Sequence, residues 1–205
     1  MFETVKKRHQ PDVITPMEHC GTNVKAIVLG TDPTTNGNLT FNKVFDIGGD
    51  KRYFSSTNKN LSLIFTDYKH TENYDILDLI YAQNLCPDYL EYSTNNYKRN
   101  AWVKFVLDQG YISELREKLD QKFSKNIPVF LTASYLLYAL IKPDSKSCSR
   151  KIADYYSGAS NFITPENSEL NRTLIPLSRH HEYSLIRQKE YLNHIRNYLD
   201  ENQAY

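Results

Sequence analysis

A short apolar run near the start of the chain places the strongest constraint on its fold. The run Ala26 to Leu29 is continuous rather than alternating, and Gly30 and Pro33 follow it as breakers. This pattern predicts a strand covered on both faces, as in a parallel sheet. Asp32 then stands at the carboxyl end of that strand, where open α/β sheets bind their ligands. Asp32 is therefore the first candidate functional residue, although an Asp in such a turn can also serve only to cap backbone N–H groups.

Three more segments read as strands, and helical patterns separate them. The predicted strands are Ile76–Tyr81, Ile127–Leu131 and Thr173–Ser178, and Ser55 or Ser56 can cap the first predicted helix. Strands that alternate with helices predict a three-layer α/β/α fold with a central, mainly parallel four-stranded sheet. A chain of 205 residues with 40% hydrophobic residues is expected to form one domain, residues 1–205.

Polar residues follow the other predicted strands as well. Asn84 comes after the second strand, and His180 and His181 come after the fourth. Because parallel strands end at the same edge of a sheet, these residues and Asp32 are expected to line one cleft. The alternatives are a turn-forming role for Asn84 and ordinary surface-loop chemistry for the histidine pair.

Composition limits the partners and the compartment. A net charge of +1 gives no overall basic field, so DNA binding would need a local patch, such as the loose cluster of cations within Lys142–Asn161. The three cysteines are isolated, which favours reduced thiols in the cytoplasm over disulfides. No apolar run approaches the length of a membrane span, and Met1 to Gln10 lacks the apolar core of a signal peptide.

Several segments, in order along the chain, resemble motifs of the uracil-DNA glycosylase superfamily. Gly30 to Thr34 is similar to the family's G-Q-D-P-Y motif, with Thr34 at the position of its Tyr. Asn84 resembles the strand-end Asn. The other similar segments are Leu39 to Phe41 (L-x-F), Ser55 to Leu61 (P-S-L-x-N-I) and Leu174 to Leu185 (the last strand and the H-P-S-P-L loop).

The resemblance implies catalytic roles for residues at the sheet edge. Asp32 would stabilise the cationic sugar or position the attacking water, and a histidine of the last loop would donate to the uracil oxygen that gains charge. Aligning H-P-S-P-L on Leu185 puts His181 at the catalytic position, with His180 as the next choice. Counting without gaps from the strand puts Arg179 there instead.

The resemblance also implies base-binding and DNA-binding residues. Asn84 would read the uracil edge, and Phe41 would stack on the flipped base, beside Thr34. DNA contacts would come from Ser55, Ser56, Arg179 and Leu185. No metal ion or organic cofactor is needed for this chemistry.

The expected function is that of a monofunctional DNA glycosylase. It would hydrolyse the N-glycosidic bond of uracil or a related damaged base in DNA, as a cytoplasmic, monomeric base-excision repair enzyme without membrane contact. One alternative is a catalytically silent nucleic-acid or nucleotide-binding module with the same fold. Another is a small-molecule hydrolase that uses Asp32 and His181.

Overall fold

The computed structural model describes residues 24–33, 55–66, 76–88, 90, 94 and 97–202. Within them, four strands form one sheet: β1 (Ala26–Gly30), β2 (Ile80–Asn84), β3 (Val129–Leu131) and β4 (Leu174–Pro176). The strand order is β2-β1-β3-β4, and every neighbouring pair is parallel. The expectation of a mainly parallel four-stranded sheet is therefore confirmed.

Helices fill the connections between the strands. They are α1 (Ser55–Ile64), α2 (Ile76–Leu79), α3 (Arg99–Asp108), α4 (Tyr111–Lys122), α5 (Ser134–Leu140), α6 (Ile152–Tyr156) and α7 (Lys189–Asn202). Two 3-10 turns, Pro165–Asn167 and His181–Tyr183, flank β4. None of the helices in the described ranges is long and apolar enough to cross a membrane.

The sheet is covered on both of its faces. All five residues of β1 are buried, and successive side chains of a strand point to opposite faces. The helices pack in two groups: α1 contacts α7, whereas α3 contacts α4 and α5. The chain thus has an α/β fold, and the continuous apolarity of β1 follows from its central place in the sheet.

The second strand begins later than the sequence pattern predicted. Ile76–Leu79 forms a helical turn, and the pairing with β1 begins where Ala26 lies opposite Ile80. A short apolar run of this kind suits a helix or a strand equally well, so its pattern could not separate the two. As a consequence, Asn84 is the last residue of β2 rather than a residue beyond it.

The segment Lys142–Asn161, in which the sequence shows cations but little hydrophobic period, contributes to the core. It contains α6, whose Tyr155 and Tyr156 are buried, and the Tyr156 ring lies 4.2 Å from that of Tyr191. Arg150, one of its cations, donates to the carbonyl oxygen of Ile141 at 3.2 Å. Two consecutive tyrosines in a polar segment give no periodic signal, which explains why the pattern missed this helix.

We expect Gly110→Ala to lower the free energy of unfolding by about 1 kcal/mol. Gly110 joins α3 to α4 with φ of +76°, and an added Cβ would meet no atom within 4 Å. The cost therefore comes from the left-handed backbone alone. Urea unfolding measures it, and Gly110→Asn should cost less because Asn tolerates this conformation better. Equal losses for Ala and Asn would contradict this explanation.

Candidate functional site

The carboxyl ends of β1 and β2 stay paired beyond the strands. Gly30 lies opposite Asn84, the Leu85 N–H donates to the Gly30 carbonyl at 2.8 Å, and the Cys86 N–H donates to the Thr31 carbonyl at 2.8 Å. This continued pairing fixes the turn that carries Asp32. The chain leaves β1 towards β2 on one side and later returns to β3 on the other, so this edge is a topological switch point, the usual ligand-binding crevice of such sheets.

Asp32 is half-buried and already has interaction partners. Its Oδ2 accepts a hydrogen bond from the Oγ1 of Thr94, a buried residue. Its negative charge also acts on the buried thiol of Cys86 and on the guanidinium of Arg179. The carboxylate therefore lies inside the fold among specific groups, unlike an exposed turn residue.

Arg179 supplies positive charge at this edge. It follows β4 and is half-buried, and the partial loss of hydration lowers the pKa of its guanidinium, while the Asp32 carboxylate opposes that shift. A guanidinium remains protonated at neutral pH in proteins, so the charge persists. A carboxylate after β1 and a permanent cation after β4 thus act on each other at the same edge of the sheet.

The two histidines occupy a different environment. His180 and His181 are solvent-exposed, and His181 begins the 3-10 turn that ends at Tyr183. Of the three candidates for the last-loop position, Arg179 is the one whose interaction with Asp32 the structure records. The electrostatic coupling to Asp32 therefore fits the gap-free count from β4 better than the alignment on Leu185, which favoured His181.

Asn84 is half-buried beside the site, at the end of β2. The residue before it, Gln83, accepts a hydrogen bond from the Tyr81 hydroxyl at 2.7 Å, and burial raises the pKa of Tyr81 to about 12. The hydrogen bond between Tyr81 and Gln83 holds the end of β2 on the sheet face opposite to that of Asn84. Asn84 therefore stands on a rigid strand end, next to Gly30.

The expected DNA contact through Leu185 does not suit its position. Leu185 is fully buried, and its N–H donates to the Oδ1 of Asn60 at 3.1 Å. Its side chain packs in the core because it precedes α7 and faces α1, so it cannot reach DNA without leaving that core. The next residue, Ile186, is 58% exposed and is the apolar side chain that this loop presents to solvent.

Four other candidates can be placed only in part. Phe41 and Thr34 lie outside the described residues. Ser55 and Ser56 begin α1, although their side chains are not among those described. Sequence reasoning overlooked Thr94, because no periodicity or motif in the neighbouring sequence marks a partner for Asp32.

We expect Cys86 to resist alkylation in the native protein at pH 8, with a rate at least about tenfold below that of the half-buried Cys148. Burial, followed by the charges of Asp32 and Asp88, raises the pKa of the Cys86 thiol, so the reactive thiolate is scarce. Iodoacetamide labelling with peptide mass spectrometry measures both rates. They should converge in urea, and rapid native labelling of Cys86 would contradict its burial.

No family model matches this chain, and neither the curated proteins nor the solved structures contain a match.

Proposed function

We propose that this protein is a DNA glycosylase-like hydrolase that cleaves the N-glycosidic bond of uracil or a related damaged base in DNA. The proposal includes a three-layer fold of the uracil-DNA glycosylase type, and a cytoplasmic monomer as the acting species. The observation that carries it is the Asp32 carboxylate just after a central strand, whose charge acts on the half-buried cation Arg179. The ordered sequence motifs around Asp32 and Asn84 add support.

The two charges suit the two halves of the reaction. Cleaving the bond between base and deoxyribose gives the sugar oxocarbenium-like positive charge and leaves negative charge on the departing base. Asp32 can stabilise the sugar cation or hold the attacking water. Arg179 can donate to the base oxygen that gains charge, a role that needs a donor which stays protonated.

In the proposed reaction, the residue at the end of β2 recognises the base. The Asn84 amide offers both a donor and an acceptor, which is what the edge of a uracil ring requires. Its half-buried place beside Gly30 brings it next to the turn that holds Asp32. A flipped nucleotide would then meet Asn84 with its base and Asp32 with its sugar.

One observation favours a silent binding module as the second candidate. Thr94 donates to the Asp32 carboxylate, and Arg179 lies close enough to act on it electrostatically. A carboxylate that is neutralised in this way stabilises a sugar cation less well. The same groups would still form a polar cleft for a nucleotide.

A uracil-release assay separates the two candidates. We expect the wild-type chain to release uracil from single-stranded or duplex DNA, and Asp32→Asn to reduce the rate at least about a hundredfold. Asp108→Asn, which alters an exposed carboxylate paired with Lys104, is the matched control and should keep full activity. If the wild type binds single-stranded DNA or free nucleobase but releases no base, the binding module is the function.

A further inference from the structure

We propose that His180, His181 and Glu182 form a binding site for Zn²⁺. The three residues are consecutive in the turn that follows β4, and all are exposed to solvent. Each offers one ligand atom, and these atoms lie within 4.8 Å of one another. This proposal does not rest on the glycosylase function, which uses Asp32 and Arg179.

The spacing of two of the ligand atoms fits a shared metal ion. His180 Nδ1 and Glu182 Oε2 are 3.4 Å apart, which is long for an N–H to oxygen hydrogen bond. Tetrahedral Zn²⁺ with bonds of about 2.0–2.2 Å separates its ligands by roughly 3.3–3.5 Å. His180 Nδ1 also accepts a long contact of 3.5 Å from the Glu182 N–H, so this nitrogen is unprotonated, and a bound ion must displace that contact to reach its lone pair.

The turn is held in place at both ends. Before it, the buried Ser178 N–H donates to the Tyr156 hydroxyl at 3.0 Å, and the His180 N–H donates to the Ser178 Oγ at 3.2 Å. After it, the buried Leu185 N–H donates to Asn60 Oδ1 at 3.1 Å. A metal site on an anchored turn loses less conformational entropy on binding than a site on a free loop.

The donor set selects the class of metal. Two imidazoles and one carboxylate suit Zn²⁺ and neighbouring late transition metals, whereas Mg²⁺ and Ca²⁺ prefer oxygen ligands alone. Three protein ligands leave a fourth tetrahedral position open, and the exposure of the turn lets water fill it.

Calorimetric titration of the full chain with ZnCl₂, after treatment with a chelator, tests the site. We expect saturable binding that His181→Ala and Glu182→Gln each weaken about tenfold or more. Since both side chains are exposed, neither change should disturb the core, which thermal unfolding can check. His194→Gln is the matched control, because it removes an exposed histidine that stacks on Phe162, away from the turn.

The same titration can overturn the proposal. A wild-type chain that shows no saturable heat with ZnCl₂ has no such site. If His181→Ala and Glu182→Gln bind Zn²⁺ as tightly as the wild type, the ion lies elsewhere. A loss in His194→Gln equal to that in His181→Ala would likewise assign the ion to other residues. A binding heat with MgCl₂ as large as that with ZnCl₂ would exclude this site, because imidazole ligands should favour Zn²⁺ over Mg²⁺.

Discussion

Replacing Arg172 with Met should lower the free energy of unfolding by about 2–4 kcal/mol, because several acceptors would lose a charged donor that is itself fully buried. Arg172 is fully buried and lies just before β4. Its guanidinium ties the C-terminal end of α4 to the sheet by donating to the Asp120 carboxylate and to the carbonyls of Leu119, Phe123 and Ser124.

The loss comes mainly from the acceptors that Arg172 would leave behind. Methionine fills similar volume but donates no hydrogen bond, so the Phe123 carbonyl loses the donor that Arg172 supplies, and the carbonyls of Leu119 and Ser124 keep only their backbone donors. Arg172→Lys should recover only part of the stability, because an ammonium lacks the planar fork that reaches several acceptors at once.

Urea unfolding of the three proteins measures these differences. Arg187→Met is the matched control: Arg187 is exposed, and its replacement should change the free energy of unfolding by less than about 0.5 kcal/mol. If Arg172→Met costs no more than Arg187→Met, the hydrogen bonds of Arg172 add nothing to the stability of the fold.

The sequence predicted the sheet well because its signal is local. The run Ala26 to Leu29 and the breakers Gly30 and Pro33 define β1 without knowledge of its neighbours, and the structure gives Ala26–Gly30. The start of β2 was wrong because that segment carries a pattern which a helical turn also satisfies. The first residue of β2 depends on where β1 begins, because the two strands pair. This pairing belongs to the tertiary structure and is not visible in a local pattern.

The sequence could predict only those residues of the site that lie at the ends of strands. Asp32 and Asn84 could be named because each follows an apolar run, and they lie at neighbouring strand ends. Thr94 and Asp32 are 62 residues apart, and Arg172 and Asp120 are 52 apart, so no spacing rule connects them. The catalytic position of the last loop was ambiguous because Arg179 and His181 are only two residues apart. In an irregular segment the direction of a side chain follows no period, so the sequence does not show which of the two points to Asp32.

If the proposed glycosylase reaction is right, replacing Arg179 with Met should reduce the single-turnover rate of uracil release about 10²–10³-fold, the effect of losing one donor to a developing negative charge. The change removes the cation that acts on Asp32, and in the proposed reaction it also removes the donor to the departing base. His181→Ala should cost less, because its imidazole is exposed and the proposed reaction assigns the donor role to Arg179. Single-turnover kinetics on uracil-containing single-stranded DNA measures each rate, with Arg187→Met as the control.

The double variant Asp32→Asn/Arg179→Met separates joint action from two independent contributions. If the two charges act together on one transition state, the double variant should lose little more activity than Asp32→Asn alone. Release of uracil by Arg179→Met, when the wild type releases none, would show that Arg179 masks the Asp32 carboxylate. That result would favour the binding module, in which this cation holds the carboxylate in a neutralised pair and the cleft serves recognition rather than hydrolysis. A larger loss in His181→Ala than in Arg179→Met would return the donor role to the exposed turn, and the gap-free alignment of the last loop would then be wrong.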